Sequence, residues 1–324
     1  MPNNTQKSNI PEYADNMLAN LDQDIIDSMD NYVAEPIQKT LTREEKTILQ
    51  VAKKASQCYD DVLDACKHGQ ELPEPFIWYL CAQCRRIFPD MDPAHVTRLM
   101  YAATFAGYNG ILVNYHNNPL TVAGLEQRMG LSHRYFKIFM DDMIQRKIFK
   151  ENDQKLIINQ SIFSKGVLPP NRMVDAAREG SIITRVYINS VRNLYEHSMR
   201  QSDKALSYLF QMIPFIHYKY HMLCFNPLEK QRDDVIWMTV EDFADAIGFD
   251  RNHIKRLYTT LFKPDFLLNG VVCKAVAGID TGEHTFNRFH IIVNPHLFSA
   301  GPHLTTQEEA ILLEKMQNNT TYLI

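Results

Sequence analysis

The stretch LTVAGLEQRMGLS (residues 120–132) returns as MTVEDFADAIGFD (residues 238–250) without a gap, at an offset of 118. The two copies share Thr-Val at their start, bulky apolar residues in their middle and a Gly followed by an apolar residue near their end. An internal repeat defines an architecture before any single residue is interpreted. The sequence therefore predicts two copies of one structural module.

Each copy predicts a helix, a sharp turn and a second helix. Thr121 and Thr239 are good N-caps, because a threonine oxygen can accept an otherwise unpaired backbone N–H at a helix start. Gly130 and Gly248 stand where the chain must leave the first helix, a position that favours a residue tolerating positive φ.

The second helix of each copy is predicted to have a core-facing side and a basic side. Ser132 and Asp250 are expected to cap it at its start. Apolar residues then recur at helical spacing and are predicted to enter the core. They are Phe136, Phe139, Met140 and Met143 in the first copy, and Ile254, Leu257, Tyr258 and Leu261 in the second.

The repeat extends in both directions from these helices. Upstream, LMYAATFAGYNGILV (99–113) resembles LFQMIPFIHYKYHML (209–223), and downstream, strand-like segments lead to NQSIFSKG (159–166) and NPHLFSAG (294–301). The end motifs are offset by 135, so the 17 extra residues are expected in a longer hairpin loop of the second copy. The resulting order is apolar helix, short strand, helix, turn, helix and two-stranded hairpin, which is the order of a winged helix-turn-helix.

The basic side of the second helix is the predicted DNA-binding surface. A solvated face would be the simpler interpretation of one such helix, but its occurrence in both copies favours DNA contact. In the major groove Arg can reach guanine and Asn can pair with adenine, while hairpin cations would meet phosphates. The predicted DNA-binding residues are His133, Arg134, Tyr135, Lys137, Lys150, Lys155, Arg251, Asn252, His253, Lys255, Arg256, Lys274 and Arg288.

At these motifs each copy resembles the winged-helix domains of RepL-type replication initiators from plasmids and phages. The shared features are an apolar helix ending near a Tyr-rich turn, a Thr-capped helix, a Gly turn and a final Asn-Pro-x-x-Phe-x-x-Gly. They occur at 99–166, with Gln160 in place of the proline, and at 209–301, about half of the chain. The resemblance implies replication initiation through double-stranded DNA with a repeated or palindromic site. Transcriptional regulation of a mobile element and a protein-interaction scaffold without DNA binding remain the alternatives.

The charge distribution is compatible with a nucleic-acid partner, although the whole chain has a net charge of −4. Residues 1–40 carry −5 and residues 302–324 carry −2, so residues 41–301 carry +3. Net charge therefore says little about one face of the folded middle. Since there is neither a run of 18 apolar residues nor an apolar signal sequence, we expect a cytoplasmic, nucleoid-associated protein with no membrane contact.

Catalytic and metal motifs are not indicated. The chain has no G-x-x-x-x-G-K-[ST], G-x-S-x-G, H-E-x-x-H or His-x-His motif, so we expect no enzyme activity and no cofactor. Cys81 and Cys84 form a C-x-x-C, but a structural zinc site needs four ligands. Because Cys58, Cys66 and His68 lie in a helical context, core thiols are favoured over zinc. His284, His290 and His296 alternate through the second hairpin and are interpreted as partly exposed strand residues.

The predicted fold class is mainly α with small β-wings, two tandem winged-helix domains following a helical N-terminal region. The predicted segments are an acidic tail with an amphipathic helix (1–40), a helical region (41–90), the first winged helix (91–166), a helical connector (167–203), the second winged helix (204–301) and a C-terminal helix (302–324). The connector is expected to hold a long helix around 181–199, although its run SIITRVYI is rich in β-branched residues. The two terminal helices are candidates for self-association, and the replication or transcription machinery is a candidate partner.

Overall fold

Both copies fold around the predicted pair of helices, and each copy also contributes strands that precede and follow it. We use a computed structural model, which describes residues 74–81, 90–166, 168, 181–198, 203–268, 270–280 and 289–301. The first repeat comprises β1 (Phe76–Leu80), α1 (Pro93–Ala103), α2 (Val122–Met129), α3 (His133–Gln145), β2 (Phe149–Asn152), β3 (Lys155–Ile158) and β4 (Phe163–Ser164). All the described residues belong to one unit of the chain, Glu44–Ile324.

The second repeat has the same order of elements with additions. It comprises β5 (Ile183–Tyr187), α4 (Ile188–Ser198), α5 (Asp203–Met212), α6 (Val240–Ala246), α7 (Ile254–Leu261), β6 (Asp265–Leu268), β7 (Val271–Lys274), β8 (Val276–Asp280), β9 (Phe289–Val293) and β10 (Phe298–Ser299). Short 3-10 turns lie at Ile213–Phe215, Arg232–Asp234 and Arg251–His253. The last of these turns leads directly into α7, so α7 corresponds to most of α3.

The threonine caps predicted from the sequence are confirmed. The Thr121 hydroxyl accepts the backbone N–H of Gly124 at 3.1 Å and starts α2. The Thr239 hydroxyl accepts the N–H of Asp242 at 3.1 Å, and the Asp242 carboxylate accepts the Thr239 N–H at 2.9 Å. The second copy therefore has a complete capping box, which the first copy lacks because it has a glycine at that position.

The glycine turns after these helices are also as predicted. Of the two caps predicted to follow them, one forms a side-chain hydrogen bond and the other does not. Gly130 and Gly248 adopt φ of 62° and 69°, the left-handed conformation that a glycine adopts without steric cost. Asp250 caps the next turn by accepting the N–H of Asn252 at 3.0 Å. Ser132 occupies the N-cap position of α3 but makes no side-chain hydrogen bond there, so the prediction that it caps this helix is wrong.

The core-facing residues of the second helices lie where the helical spacing predicts. The apolar faces of α3 and α7 pack into a core shared by the described elements. Phe136, Phe139, Met140, Met143, Leu257 and Leu261 are buried, and Ile254 and Tyr258 are half-buried. The complementary faces of both helices are exposed.

Matching hydrogen bonds show that the end motifs hold equivalent positions. The Asn159 side-chain amide donates to the Lys147 carbonyl at 3.2 Å, and the Asn294 amide donates to the Lys274 carbonyl at 3.1 Å. Each asparagine thereby ties the end of its repeat to the chain just before its hairpin. The offset of 135 between the end motifs is therefore structural as well as sequential.

The additional residues of the second repeat enter at two places, whereas the sequence predicted one lengthened hairpin loop. Phe149 pairs with Ile158 in β2–β3, and Val276 pairs with Val293 in β8–β9, so β8–β9 is the equivalent hairpin. The offset is 127 between Phe149 and Val276 on the first strands of the two hairpins, and 135 between Ile158 and Val293 on the second strands. Part of the insertion thus forms the separate hairpin β6–β7 before β8, and the remainder lies between β8 and β9.

The mainly helical fold class predicted from the sequence is wrong. Among the residues that the structure describes, about 40% are helical and 25% are in strands, and these strands form several antiparallel sheets. The largest sheet has four strands in the order β10-β5-β1-β4. Its central strands are FIWYL (76–80), within the region predicted to be helical, and ITRVY (183–187), where a long helix was expected. Their β-branched and aromatic residues favour strands, and each strand finds its partner about a hundred residues away.

A pseudo-twofold axis relates the two repeats. In the central pair β1–β5, Trp78 lies opposite Arg185, and β4 and β10 flank this pair on opposite sides in matching registers. The equivalent helices α1 and α5 also pack against each other. Equivalent elements that contact each other reciprocally are the mark of a twofold relation.

Two residues of the central strand pair, Trp78 and Arg185, make equivalent hydrogen bonds to the end motifs of the two repeats. The Trp78 indole Nε1–H donates to the Gly166 carbonyl at 2.7 Å, and the buried Arg185 guanidinium donates to the equivalent Gly301 carbonyl. Arg185 also donates to the Ser299 hydroxyl at 3.2 Å. A side chain from one position of the central pair therefore holds the end motif of each repeat.

Several predictions fall outside the described residues. They concern the acidic N-terminal helix, most of the 41–90 region, the C-terminal helix, Arg288, His284 and the second cysteine of the C-x-x-C, Cys84. Within the part of the chain that the structure describes, no helix has both the length and the apolar character needed to cross a membrane.

Candidate nucleic-acid interface

The exposed face of α3 carries the first group of predicted DNA-binding residues. His133, Arg134, Tyr135 and Lys137 are all exposed at its N-terminal half. His133 Nδ1 lies 3.0 Å from a carboxylate oxygen of Glu126 on α2. Among the described residues, Arg134 and Lys137 form no ion pair. Within the described part of the chain, this face therefore offers two cations that no carboxylate neutralises.

The hairpin β2–β3 brings its two predicted lysines to one face. Lys155 lies opposite Asn152, and directly opposed residues share one side of a hairpin. Lys150 is two residues from Asn152 on the same strand, so it lies on that side too. Both lysines are exposed. A tight turn at 153–154, in which both residues adopt positive φ, joins the strands. The first repeat thus presents cations from the helix and from the hairpin.

In the second repeat two of the predicted cations lie on the 3-10 turn Arg251–His253, which precedes α7. Nearby carboxylates partly neutralise their charge. Arg251 makes two contacts with the carboxylate of Asp245, and the hydrogen bond from Arg251 holds the pKa of that carboxyl below its usual value. His253 Nε2 lies 3.8 Å from an oxygen of Asp250. Asn252 is exposed. Arg251 and His253 can contact DNA only in competition with these carboxylates.

The remaining cations of the second repeat divide into exposed and structural ones. Lys255 and Arg256 are exposed on α7, and the Arg256 guanidinium lies 6.0 Å from the centre of the Phe249 ring. Lys274 is half-buried, and its Nζ lies 3.6 Å from the carboxylate of Asp265. Lys274 therefore stabilises the base of β6–β7, and it does not lie on an open cationic surface.

A cluster of cations and aromatic rings that the sequence did not single out is formed by residues of the first repeat together with Arg192 from α4 of the second. The guanidinium carbons of Arg128 and Arg192 lie 4.7 Å and 4.8 Å from the centre of the Tyr115 ring. Lys165 Nζ lies 5.5 Å from the centre of the Tyr108 ring. These residues come from α2, α4 and two loops, so no local spacing could have connected them.

The cysteine and histidine residues considered for metal binding do not form a site where they are described. No group of three or more His, Cys, Asp or Glu within the described ranges is arranged to hold a metal ion. Cys81 is buried, with its Sγ 3.7 Å from the Thr184 hydroxyl. His290 lies within β9 and His296 follows that strand, and both are half-buried. The ring centre of His290 lies 6.0 Å from that of Trp237.

Comparisons of the chain with protein-family models, curated proteins and solved structures found no match. The functional argument therefore depends on the geometry of the repeats and on the charges that they expose.

Proposed function

We propose that this chain binds double-stranded DNA in a sequence-dependent way through two helix–turn–helix pairs, α2–α3 and α6–α7. The observation that carries the proposal is that the same cap and turn build an exposed basic helix face twice. Arg134 and Lys137 occupy this face in the first repeat, and Lys255 and Arg256 occupy it in the second. Residues in the N-terminal half of such a helix are the ones that meet base edges in the major groove.

The pseudo-twofold relation supports an inverted repeat as the DNA site. A twofold operation turns the second reading helix to face the opposite direction along the duplex, and palindromic half-sites have this symmetry. Because both pairs are in one chain, the second contact is intramolecular and gains from effective concentration. A single chain is therefore sufficient to occupy both half-sites.

The charge pairing supports an unequal contribution of the two repeats. Arg134 and Lys137 are free of carboxylates among the described residues, whereas Arg251 is held by Asp245 in the second repeat. Moving Arg251 to a phosphate would break its two contacts with that carboxylate. We therefore expect the first repeat to contribute more to binding than the second.

The test is the affinity for genomic fragments selected by binding, measured against salt for the wild type and for paired substitutions. Arg134→Ala with Lys137→Ala should weaken binding by about tenfold or more, since a lost base contact costs about 1–3 kcal/mol. It should also reduce the salt slope by about one for each phosphate contact removed. Lys255→Ala with Arg256→Ala should have a smaller effect of the same kind.

Lys230→Ala is the control, because it removes an exposed lysine outside both helix pairs. Unchanged affinity and salt slope in both paired variants would refute the assignment of the DNA-binding face. Failure to enrich any fragment at low salt would instead favour a scaffold for protein contacts.

For the biological role we propose replication initiation of a plasmid or phage in the bacterial cytoplasm, with the nucleoid as the site of action. The resemblance at 99–166 and 209–301 supports this choice. The replication machinery would then be a partner, and the terminal segments remain candidates for self-association. Enrichment of replication-origin fragments would support initiation, and enrichment of promoter fragments would support transcriptional regulation.

A further inference from the structure

Two exposed tyrosines of the first repeat lie close to three cations, two from the first repeat and Arg192 from α4 of the second, outside the predicted duplex-binding residues. Tyr115 is 60% exposed and Tyr108 is 54% exposed, so both rings are accessible to a ligand. The guanidinium groups of Arg128 and Arg192 both lie close to the Tyr115 ring, and Lys165 lies over the Tyr108 ring. We call these five residues the tyrosine–cation patch.

The cations of this patch repel one another. Burial is the main cause that lowers the pKa of the Arg192 guanidinium. Tyr115 and Tyr101 raise this pKa, Arg128 lowers it, and Glu196 raises it. Burial lowers the pKa of Lys165 as well, with a further contribution from Arg192. An anion placed among these groups would relieve both the repulsion and the loss of solvation.

Arg192 has a structural role that fixes the geometry of the patch. Its Nε donates to the Thr104 hydroxyl at 2.9 Å, and its second nitrogen donates to the Thr104 carbonyl at 2.8 Å. Thr104 is the C-cap residue of α1, so Arg192 satisfies the end of that helix. Arg128 has no carboxylate partner among the described residues, and its guanidinium remains available to a ligand.

A polar cleft of about 500 Å³ opens beside Arg128. It runs along one side of α2 and is bordered by Asn114, Thr121, Gly124 and Gln127 as well as by Arg128. Asn114 precedes Tyr115 in the chain, so the cleft adjoins the exposed ring. Amide groups and a cation around a cleft are suited to an extended anionic ligand with hydrogen-bonding groups.

The second repeat shows that the fold does not require this arrangement. The offset of 118 replaces Gly124, Gln127 and Arg128 with Asp242, Asp245 and Ala246. Asp242 completes a capping box, and Asp245 binds Arg251. The same side of the helix is therefore acidic and self-paired in the second repeat but open and cationic in the first. The difference indicates that the first repeat has specialised this side for an anion.

We propose that the tyrosine–cation patch and the adjoining cleft bind a single-stranded polynucleotide. Bases would stack on Tyr108 and Tyr115 while the phosphodiester backbone follows Arg128 into the cleft. Exposed aromatic rings beside cations are what single-strand binding requires, because an unpaired base has a free face to stack. A duplex hides its base faces within its own stack, so it cannot use the tyrosines. This proposal does not depend on duplex binding by α3 and α7.

The test uses fluorescein-labelled oligo(dT) and oligo(rU) of about 16 nucleotides, with anisotropy measured on the full chain at low salt. Tyr115→Ala should weaken binding by about fivefold to a hundredfold, the range expected for the loss of one stacked base. Tyr115→Phe is the matched control, because it keeps the stacking ring and should bind as the wild type does. Arg128→Gln should weaken binding and reduce its salt slope.

Each outcome decides for or against the proposal. No binding of either oligonucleotide by the wild type overturns it, as does wild-type binding by both Tyr115→Ala and Arg128→Gln. Loss of binding in Tyr115→Phe equal to that in Tyr115→Ala also overturns it, since stacking would then not be the cause. Tyr108→Ala is the second aromatic variant if Tyr115→Ala lacks the wild-type circular dichroism spectrum.

Failure of duplex binding would be separate from failure of this proposal. Arg134→Ala with Lys137→Ala should weaken duplex binding and leave oligo(dT) binding unchanged, whereas Tyr115→Ala should do the reverse. If both sets of substitutions reduce both activities equally, the two surfaces are one and the proposal of a separate single-strand site is wrong.

Discussion

Replacing Gly110 with Ala should destabilise the first repeat much more than replacing Gly248 with Ala destabilises the second. The two glycines have nearly the same backbone, with φ of 73° and 69°. They differ in the space around them. A Cβ on Gly110 would lie 2.7 Å from the carbonyl oxygen of Ile158, whereas a Cβ on Gly248 would meet nothing within 4 Å. The pair therefore separates the cost of close approach from the cost of left-handed backbone.

The magnitude follows from these two costs. A left-handed alanine costs about 1–2 kcal/mol, and the loss of unfolded-state freedom returns about 0.4–1 kcal/mol. We therefore expect Gly248→Ala to lower the free energy of unfolding by about 1 kcal/mol. At Gly110 the Ile158 carbonyl must also move, and overpacking of this kind costs about 1–3 kcal/mol more. The Ile158 N–H donates to the Gly110 carbonyl at 2.8 Å, so the movement also strains the attachment of the hairpin.

The measurement is urea unfolding monitored by tryptophan fluorescence. The free energies of unfolding of the two variants are compared after checking that both depend on urea concentration with the same slope. Gly110→Ala should lose about 2–4 kcal/mol in total. Equal losses for the two variants would show that β3 does not approach Gly110 as closely as the structure places it. A loss confined to Gly248→Ala would refute the reasoning altogether.

Two further predictions concern side chains that support the repeats. Thr239→Ala should lower the free energy of unfolding by about 1 kcal/mol, because it removes the hydroxyl that caps the N–H of Asp242, and urea unfolding at neutral pH would measure it. An unchanged midpoint would contradict the capping box. Burial raises the pKa of Asp142, but hydrogen bonds from His95 and Arg146 outweigh burial and hold the pKa below its usual 3.8. A lowered pKa stabilises the fold above 3.8 and ceases to do so as the pH falls through the folded value, so the stability difference between wild type and Asp142→Asn should shrink between about pH 7 and about pH 3. A difference that stays constant over that range would mean that the carboxylate does not depend on these bonds.

Most features with a local cause were predicted correctly from the sequence, and the exception is the side-chain cap expected from Ser132. The threonine caps, the left-handed glycines and the buried faces of α3 and α7 all follow from residues within one or two helical turns. The offset of 118 was informative because both copies use a threonine N-cap and a left-handed glycine at equivalent positions. The strand Ile183–Tyr187 was missed because the helical pattern of 188–198 continues directly from it, so the boundary between strand and helix is hidden.

The neutralised and the newly found cations show the limit of the sequence at the candidate site. Arg251 and Lys274 were predicted to face DNA, but the fold places an aspartate beside each of them. Arg128 and Arg192 were not predicted, because their meeting place at Tyr115 joins α2, α4 and a loop. Side-chain charge is visible in a sequence, but the partner that neutralises or concentrates it is a matter of three-dimensional distance.

The repeated helix–turn–helix and the buried face of each second helix could be predicted from the sequence alone. Those properties depend on capping, glycine conformation and helical periodicity, all of which act over a few residues. The central position of Phe76–Leu80 and Ile183–Tyr187 in a sheet, and the pseudo-twofold arrangement around Trp78 and Arg185, became visible in the three-dimensional structure. Strand pairing joins segments far apart in the chain, and a strand's partner is selected by the packing of the whole molecule rather than by its own residues.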